Sequence, residues 1–457
     1  MKRTKYEEVA ENLLRKINAG AYRGGKLPSM SAIAGEYGVN LQTANRAVKF
    51  LEQRGIVSCF TGKKGTVIDA ARAKLTAAAG DGVFAADQVF GGRMRTRIRF
   101  VHNYLNGKMQ DHFQECVRRF TRQYPWTEVE IFPVDTLGRI ESGEFPCDTV
   151  LLSGRDVRSL ARRGKLRDLN GYPRLAGTEE SEFCPGLWDS CRWDGVLYAV
   201  PFSWSVPLKG ERGGQSVFSW REPEPVNESG LFSIGFYSLL CLFLGEPFSC
   251  GFFRDKEKGL HELLEFIRKL CVSPDGKLTF WDDPGALRNF DAEKGRFLCG
   301  YYSTINTVIG QAKNWRYAPL PPYPGGRNIM ATECLAVSAG TEALPESLLW
   351  LKFLQSPEAQ RVFMASPSFL PARRALLREM PAELVSTLEK AAENAVQPQL
   401  SSGGLYRLYS CVYPLLERYF SGEIREKQVI PRILELLREE IVLDDLQESS
   451  PICQRQK

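Results

Sequence analysis

The chain has 457 residues, of which 43% are hydrophobic and 25% charged. This length is greater than that of an ordinary single domain and predicts two or three folding units. The composition is that of a soluble globular protein. Residues 1–70 hold twelve Lys and Arg against six Asp and Glu, so the other residues carry 48 of each sign and sum to zero. The whole net charge of +6 therefore lies in the first segment, which predicts a polyanion partner for that segment alone.

Export, membrane insertion and metal binding find no support in the sequence. The N-terminal stretch MKRTKYEEVAENLL lacks the apolar core and cleavage site of a secretory signal. The most apolar run, Leu231 to Leu244, spans 14 residues, fewer than the ~20 that cross a bilayer, and predicts a buried helix. The twelve cysteines form no CxxC pair, and the three histidines show no metal-ligand spacing. We expect a cytoplasmic chain with reduced thiols, no membrane contact and no metal.

An apolar face at three- and four-residue spacing predicts the first helix. Its members are Tyr6, Val9, Leu13 and Ile17. The helix is expected to end near Asn18 to Gly20. Pro28 opens a short second helix that runs through Tyr37, and Gly38 ends it.

A third helix carries the polar and basic side chains that could face a ligand. Asn40 is expected to cap its start by accepting a backbone N–H bond. The predicted inward stripe comprises Leu41, Ala44, Ala47, Val48 and Leu51. The outward residues are Gln42, Thr43, Asn45, Arg46 and Lys49. Two short extended runs follow, IVSCF and GTVI, and the TGKK between them predicts a hairpin with two lysines at its tip.

This order of helices and hairpin is that of a winged helix-turn-helix, whose third helix enters the major groove of DNA. The stretches GAYRGGKLPS, IAGEYGV, TANRAVKFLEQRGIV and GKKGT resemble the GntR family of bacterial regulators over residues 5–68. The resemblance implies a double-stranded DNA operator as partner. The residues assigned to DNA are Ser29, Ser31, Gln42, Thr43, Asn45, Arg46, Lys49, Lys63, Lys64 and Gly65. Ser31, Leu41 and Asn45 stand where the family often has Arg, which predicts an unusual operator sequence.

The body after this domain alternates strands and helices. Residues 71–94 are rich in Ala and Gly and predict a linker between domains 1–70 and 95–445, while residues 446–457 predict a frayed tail. The strand TRIRFVHNY, the helix HFQECVRRFTRQYP and the strand TEVEIFPV form a βαβ unit. The strand DTVLLSG and a helix within VRSLARRGKLRDLNGY follow. The pattern predicts an open α/β sheet that binds ligands at the carboxyl ends of its strands.

Several stretches of the body resemble family 1 extracellular solute-binding proteins, the maltose-binding-protein-like clamps. They are FTRQYPWTEVEI, CDTVLLSG with LARRGKLRDLNGY, WDGVLYAVPFSW, FDAEKGRFLCG and LAVSAGTEALPESLLWLKFLQSPEAQRVFMASPSFLPARR. The resemblance covers residues 96 to about 440 and implies a two-lobed α/β domain of the periplasmic-binding-protein type II. Residues 209–230, rich in Gly, Pro and Glu, depart from the family pattern at one wall of the cleft.

Sugar sites in such clamps combine aromatic faces with hydrogen-bonding side chains. Side chains at predicted strand ends that fit this pattern are Asn103, Tyr104, Trp204, Tyr301 and Tyr302. Trp281 and Asp282 are further candidates. Aromatic side chains are more often core residues, so each of these aromatic residues has a purely structural alternative.

Catalysis is not predicted, because the sequence shows no GxSxG elbow, no paired carboxylates and no nucleotide fingerprint. No cofactor is predicted either. Some GntR regulators carry an aminotransferase-like body, but no recognisable lysine context supports one here. We expect a homodimeric transcription regulator that senses a sugar or oligosaccharide, since one small head offers limited base contact. Two alternatives stay open: a ligand-free dimerisation scaffold and a transporter-type solute-binding protein.

Overall fold

The fold is given by a computed structural model that describes most of the chain. The described residues are 5–22, 24–53, 56–59, 65–68, 96–102, 107–124, 126–133, 146–170, 172, 179–213, 230–245, 257–271, 290–310, 312–320, 323–324, 326–393, 395–398 and 400–446. Residues 71–94, predicted as a linker, lie outside them, as do residues 447–457 of the predicted tail 446–457, whereas Leu446 ends a helix.

Helices and a hairpin form the first domain. Its elements are α1 (Lys5–Asn18), α2 (Met30–Tyr37), α3 (Leu41–Gln53), β1 (Val57–Cys59) and β2 (Thr66–Ile68). Leu13, Ile33 and Val48 have no exposed surface and belong to one apolar cluster shared by the three helices. Gly38 ends α2 at a φ of 60°, a value that glycine adopts without strain. The winged helix-turn-helix prediction is confirmed.

The hairpin has a third partner that the sequence pattern did not indicate. β1 and β2 pair antiparallel, with Val57 opposite Ile68. On the other side of β2, Leu27 N–H donates to the Thr66 carbonyl at 2.9 Å and Ile68 N–H donates to the Gly25 carbonyl at 2.8 Å. The segment before α2 therefore fixes the base of the wing to the helices.

Alternating strands and helices build the body. Its first elements are β3 (Thr96–His102), α4 (Gly107–Gln123), β4 (Thr127–Pro133), β5 (Thr149–Ser153), α5 (Gly154–Arg162), β6 (Arg192–Trp193), β7 (Val196–Leu197), β8 (Ala199–Ser205), β9 (Pro207–Arg212), β10 (Gly230–Ser233) and α6 (Phe236–Leu244). The next are α7 (Glu257–Cys271), β11 (Phe297–Tyr301), α8 (Tyr302–Ile309), β12 (Trp315–Pro319), β13 (Asn328–Ile329), β14 (Ala331–Val337), α9 (Leu344–Leu354), α10 (Pro357–Phe363), α11 (Arg374–Leu377), α12 (Ala382–Ala392), β15 (Ala395–Val396), α13 (Ser402–Phe420) and α14 (Glu426–Leu446).

Over the described residues, one sheet of each lobe organises the body. In the first lobe the strand order is β4-β3-β5-β14-β8, with β3, β4 and β5 parallel and β14 antiparallel to both of its neighbours. In the second lobe the order is β10-β11-β9-β12. Crossover helices pack on parallel strands in the way the βαβ pattern predicts. The two-lobed α/β prediction is confirmed.

The core has a separate cluster on each face of the second sheet. Leu208 and Leu298 continue the first-lobe core, together with Ile305 of α8. Phe297 and Cys299 point to the opposite face, where they join apolar residues of α6, α7, α13 and α14. The second sheet is therefore covered on both faces.

The apolar run from Leu231 to Leu244 differs from its prediction as one buried helix. Its first residues belong to β10, and α6 starts only at Phe236 after Gly235. All nine residues of α6 are buried. Among the described residues, no helix has both the length and the apolar character to cross a membrane.

Candidate functional site

The outer side of α3 presents polar and basic groups. Gln42, Asn45, Arg46 and Lys49 are exposed, and Thr43 is half-buried. Asn40 Oδ1 accepts a 2.7 Å bond from Thr43 N–H and fixes where the helix begins. Ala44, Ala47 and Val48 are fully buried against the rest of the domain. The buried stripe therefore fixes the rotation of α3 about its own axis, so that the polar and basic side chains face outward.

Leu41 departs from the predicted inward stripe. It is the first residue of α3, and 57% of its surface is exposed. The reason is positional: α2 ends at Tyr37 and the turn at Gly38 leads the chain away, so the stripe meets its neighbours only from Ala44 onward. Leu41 belongs to the outer face with Gln42 and Asn45.

Three of the other predicted DNA contacts, Ser29, Ser31 and Gly65, belong to the part of the chain that the structure describes. Ser29 caps α2 by accepting a 3.2 Å bond from Ala32 N–H, and Ser31 is exposed in the first turn of that helix. Gly65 directly precedes β2 and has a φ of 65°, which disfavours any side chain. Lys63 and Lys64, predicted at the wing tip, lie outside the described residues.

A second candidate site lies where the two lobes of the body join. β3, β5 and β8 end at one edge of the first sheet, and β14 begins there. Only Val206 separates the end of β8 from β9 of the second lobe. Tyr302 N–H donates to the Val206 carbonyl at 2.9 Å, and Ser303 N–H donates to Ser205 Oγ at 3.1 Å. The first turn of α8 is thus held on the connection between the lobes.

A row of polar side chains crosses the first sheet near this edge. Glu333 of β14 lies opposite Ser153 on β5 and Ser203 on β8. Ser203 Oγ donates to the Glu333 carboxylate. Ser153 caps α5 without a side-chain bond to that helix. Carboxylate and hydroxyl groups in such a row suit the hydroxyl groups of a carbohydrate.

The second lobe contributes an aromatic hydroxyl and a buried ion pair. Tyr301, at the end of β11, is half-buried, and its hydroxyl lies 2.9 Å from Ser238 Oγ in the first turn of α6. On β9, Lys209 Nζ lies 2.7 Å from Glu211 Oε2, with side chains 10% and 17% exposed. The ion pair falls in residues 209–230, the stretch that departs from the family pattern, and was not predicted.

One buried carboxylate ties α5 to α13, whose apolar face packs in the second-lobe cluster. Asp156 is 3% exposed, and its two oxygens accept bonds from Ser402 N–H at 2.7 Å and Ser402 Oγ at 2.6 Å. We name this pair the α5–α13 clasp. Its two members are 246 positions apart in the chain, which excludes any local sequence signal for it.

The winged helix of the first domain decides its family. Residues 5–68 match the model of the bacterial regulatory proteins of the gntR family. These residues form a GntR-family DNA-binding domain. Its match ends within the wing, at the last residue of β2.

The body is similar to solute-binding proteins. An uncharacterised ABC transporter extracellular-binding protein of Pyrococcus horikoshii is 28% identical over 105 residues, a match that spans 21% of this chain and 24% of the relative. The substrate-binding protein of Listeria monocytogenes in complex with cycloalternan gives a TM-score of 0.61 at 14% identity, over 76% of this chain and 99% of that chain.

Two further structures extend this fold similarity. Maltose-bound MalE3 of T. maritima gives a TM-score of 0.59 at 20% identity, over 76% of this chain and all of its own (100%). The UgpB protein of Mycobacterium tuberculosis, in complex with glycerophosphocholine, gives 0.58 at 16% identity, over 76% and 98%. The region after the GntR domain therefore has a maltose-binding-protein-like fold.

The structure gives the predicted ligand residues different positions. Trp204 is 3% exposed, and its Nε1 donates to the Pro371 carbonyl at 3.1 Å. Tyr302 is 2% exposed, and burial raises the pKa of its hydroxyl. Neither placement fits the prediction that these rings offer a face to a sugar. Tyr301 remains accessible. Asn103, Tyr104, Trp281 and Asp282 lie outside the described residues.

Most of the cysteines whose side chains the structure describes are packed in the core. Of the nine cysteines whose side chains the structure describes, seven are buried, and all nine are free thiols. Burial raises the pKa of Cys184 to about 12, which keeps this thiol protonated and unreactive at neutral pH. Among the described residues, no group of three or more His, Cys, Asp or Glu side chains is arranged to hold a metal ion.

Proposed function

We propose that this protein is a ligand-responsive transcription regulator of the cytoplasm. The observation that carries the proposal is the presence of a GntR-family DNA-binding domain and a maltose-binding-protein-like fold in one chain. The first supplies an exposed basic and amide-bearing helix, and the second supplies two lobes around a polar junction. Regulators and binding proteins of these kinds act by binding, and no catalytic step is proposed.

The proposed ligand is a sugar or oligosaccharide. Two of the structural neighbours are in complex with cycloalternan and with maltose. In this chain the polar row of Ser153, Glu333 and Ser203 and the half-buried Tyr301 provide hydroxyl, carboxylate and aromatic groups near the junction. Such groups bind the hydroxyls and the apolar faces of a pyranose.

The proposed mechanism couples closure of the lobes to the spacing of two DNA-binding heads. A homodimer on a twofold-symmetric operator places two α3 helices in successive major grooves, about 34 Å apart. Ligand shifts the protein between open and closed states only through its different affinity for them. Closure that moves the heads away from this spacing lowers operator affinity. Because the coupling is reciprocal, the free energy of operator binding lost on ligand binding equals the free energy of ligand binding lost on operator binding.

Thermal unfolding with a panel of solutes tests the sensor. The panel contains glucose, maltose, maltotetraose and a cyclic oligosaccharide, with glycerophosphocholine as the solute without a sugar ring. A ligand at 100 times its dissociation constant stabilises the body by about 2.7 kcal/mol and raises its unfolding temperature by a few degrees. A saturable increase for one sugar class supports the proposal. An increase with glycerophosphocholine alone overturns the sugar assignment and retains the sensor.

Salt-dependent DNA binding tests the head. Arg46→Ala removes an exposed cation from α3 and is expected to weaken binding about tenfold, with a smaller slope of log affinity against log salt. Arg15→Ala is the matched control, because Arg15 is an exposed cation in the last turn of α1. Equal effects of the two substitutions contradict the proposed interface.

A ligand-free dimerisation scaffold is the second candidate. The burial of Trp204 and Tyr302 favours it, because both rings are used in packing. A scaffold keeps operator affinity unchanged by every solute and shows no thermal response, whereas a sensor shows both responses with the same solute.

A further inference from the structure

The recognition helix of the GntR domain begins with an exposed apolar side chain. Leu41 is 57% exposed, and Tyr406 of α13 is the other exposed large hydrophobic residue among those the structure describes. Most leucines among the described residues are buried, and Leu51 of the same helix has no exposed surface. We therefore expect Leu41 to contact a partner outside the domain.

The local structure holds this side chain in place. Asn40 caps α3 through Thr43 N–H at 2.7 Å, which makes Leu41 the first helical residue. Ala44 and Val48 are buried, so the helix cannot rotate to bury Leu41 without exposing them. Asn45 follows one turn later on the same side of the helix and is exposed. Leu41 is thus presented with polar neighbours on a fixed surface.

The major groove of unmodified DNA offers one kind of apolar group to such a side chain. Base edges there carry hydrogen-bond donors and acceptors, and thymine alone adds the C5 methyl group. The N-terminal residues of a recognition helix are those that contact base edges. A leucine at this position can make no hydrogen bond to guanine or cytosine, but its methyl groups can pack on that of thymine.

We propose that Leu41 is a specificity-determining residue that contacts the C5 methyl group of a thymine in each half-site. This inference rests on the proposed function as a DNA-binding regulator. It gives the operator a defined feature: one thymine per half-site whose methyl group contributes to affinity. Gln42, Asn45 and Arg46 beside it supply the hydrogen bonds to neighbouring base pairs and phosphates.

The test removes the methyl group from DNA and its partner from the protein. The full chain first selects its operator from a random duplex library, and each thymine of the selected site is then replaced in turn by deoxyuridine. For the native chain, one position per half-site is expected to lose about three- to fivefold in affinity on this replacement. Leu41→Ala is expected to bind the thymine and deoxyuridine duplexes equally. Leu41→Arg is expected to prefer guanine at that position.

Two further variants serve as controls. Tyr406→Ala removes the other exposed hydrophobic residue and is expected to keep the full discrimination between thymine and deoxyuridine. Lys49→Ala is expected to weaken binding to both duplexes by the same factor, as loss of a phosphate contact does. Thermal unfolding of each variant confirms that the domain is folded.

The outcomes separate the two proposals. A selected operator whose affinity is unchanged by deoxyuridine at every thymine overturns the role of Leu41 and leaves the DNA-binding function intact. Equal loss on deoxyuridine replacement in the native chain and in Leu41→Ala also overturns that role. A library from which the full chain enriches no sequence overturns both.

Discussion

The three histidines of the chain lie in three different surroundings. His102 is fully buried, its ring stacks on Phe113 at 4.7 Å, and burial lowers its pKa to about 4. His112 is half-buried, and desolvation lowers its pKa from the ordinary 6.5. His261 is exposed on α7, and its bond to the Glu426 carboxylate of α14 raises its pKa above 6.5. Burial therefore lowers the pKa of a histidine, whereas a carboxylate partner raises it.

A pH titration followed by NMR is expected to give three different pKa values, lowest for His102, higher for His112 and highest for His261. Glu426→Gln removes the charged partner and is expected to lower the pKa of His261 toward 6.5 while the other two stay unchanged. Because the folded pKa of His102 lies below its unfolded value, its contribution to stability is present above pH 6.5 and is lost as pH falls toward 4. A His102 that titrates near 6.5 contradicts its buried position.

At the scale of single residues, periodicity predicted burial well inside helices and poorly at their ends. Ala44, Ala47, Val48 and Leu51 have no exposed surface, as the inward stripe predicts. Leu41 satisfies the same spacing yet is exposed, because a stripe is buried only where a neighbouring element covers it. Trp204 is a second example. Its position at a strand end predicted a ligand contact, but its indole N–H donates a hydrogen bond to the Pro371 carbonyl.

At the scale of elements, two glycines of α2 and its turn allow a matched comparison. Gly38 ends the helix at a φ of 60°, and Gly35 lies inside it, and neither has an atom within 4 Å of an added Cβ. Gly38→Ala is expected to destabilise the GntR domain by about 1 kcal/mol through backbone strain. Gly35→Ala is expected to stabilise it by up to about 1 kcal/mol, because alanine is the better helix former.

Denaturant unfolding of the two variants measures both effects. The midpoint of the transition that reports on the GntR domain is expected to move in opposite directions. Since added volume is the same in both, a shift of equal sign contradicts the conformational explanation and points to contacts instead.

The run from Leu231 to Leu244 shows why element type was harder to predict than element presence. A short continuous apolar run fits a buried strand and a buried helix equally well. Here Gly235 separates the two: β10 pairs with β11 before it, and α6 begins after it. The glycine was visible in the sequence, but its effect depends on a strand partner more than 60 residues away, Phe297–Tyr301.

At the scale of the whole molecule, order and spacing of motifs predicted the two domains and the clamp fold, whereas the junction between lobes was not predictable. Ser153, Ser203 and Glu333 meet only because three strands from distant parts of the chain are neighbours in one sheet. No spacing rule connects such residues. Most of the predicted ligand candidates came from strand ends, a criterion that selects an edge of the sheet but not the side chains that are exposed there.

At the scale of the whole molecule, the α5–α13 clasp joins two helices that are far apart in the chain. We expect its loss to lower the free energy of unfolding of the body more than the loss of an exposed serine hydroxyl on the same helix. Ser402→Ala removes a 2.6 Å hydroxyl bond to the buried Asp156 carboxylate and is expected to destabilise the body by about 1.5–3 kcal/mol, as for hydrogen bonds to charged groups. Ser410→Ala is the control on the same helix: its exposed hydroxyl bonds only to the Tyr406 carbonyl at 2.8 Å in what the structure describes, and its loss is expected to stay within about 0.5 kcal/mol. Ser402→Thr retains the hydroxyl and is expected to recover most of the stability. Equal unfolding midpoints for Ser402→Ala and Ser410→Ala would show that the hydroxyl bond of the clasp does not stabilise the body, since the Ser402 N–H bond to Asp156 is kept in both variants.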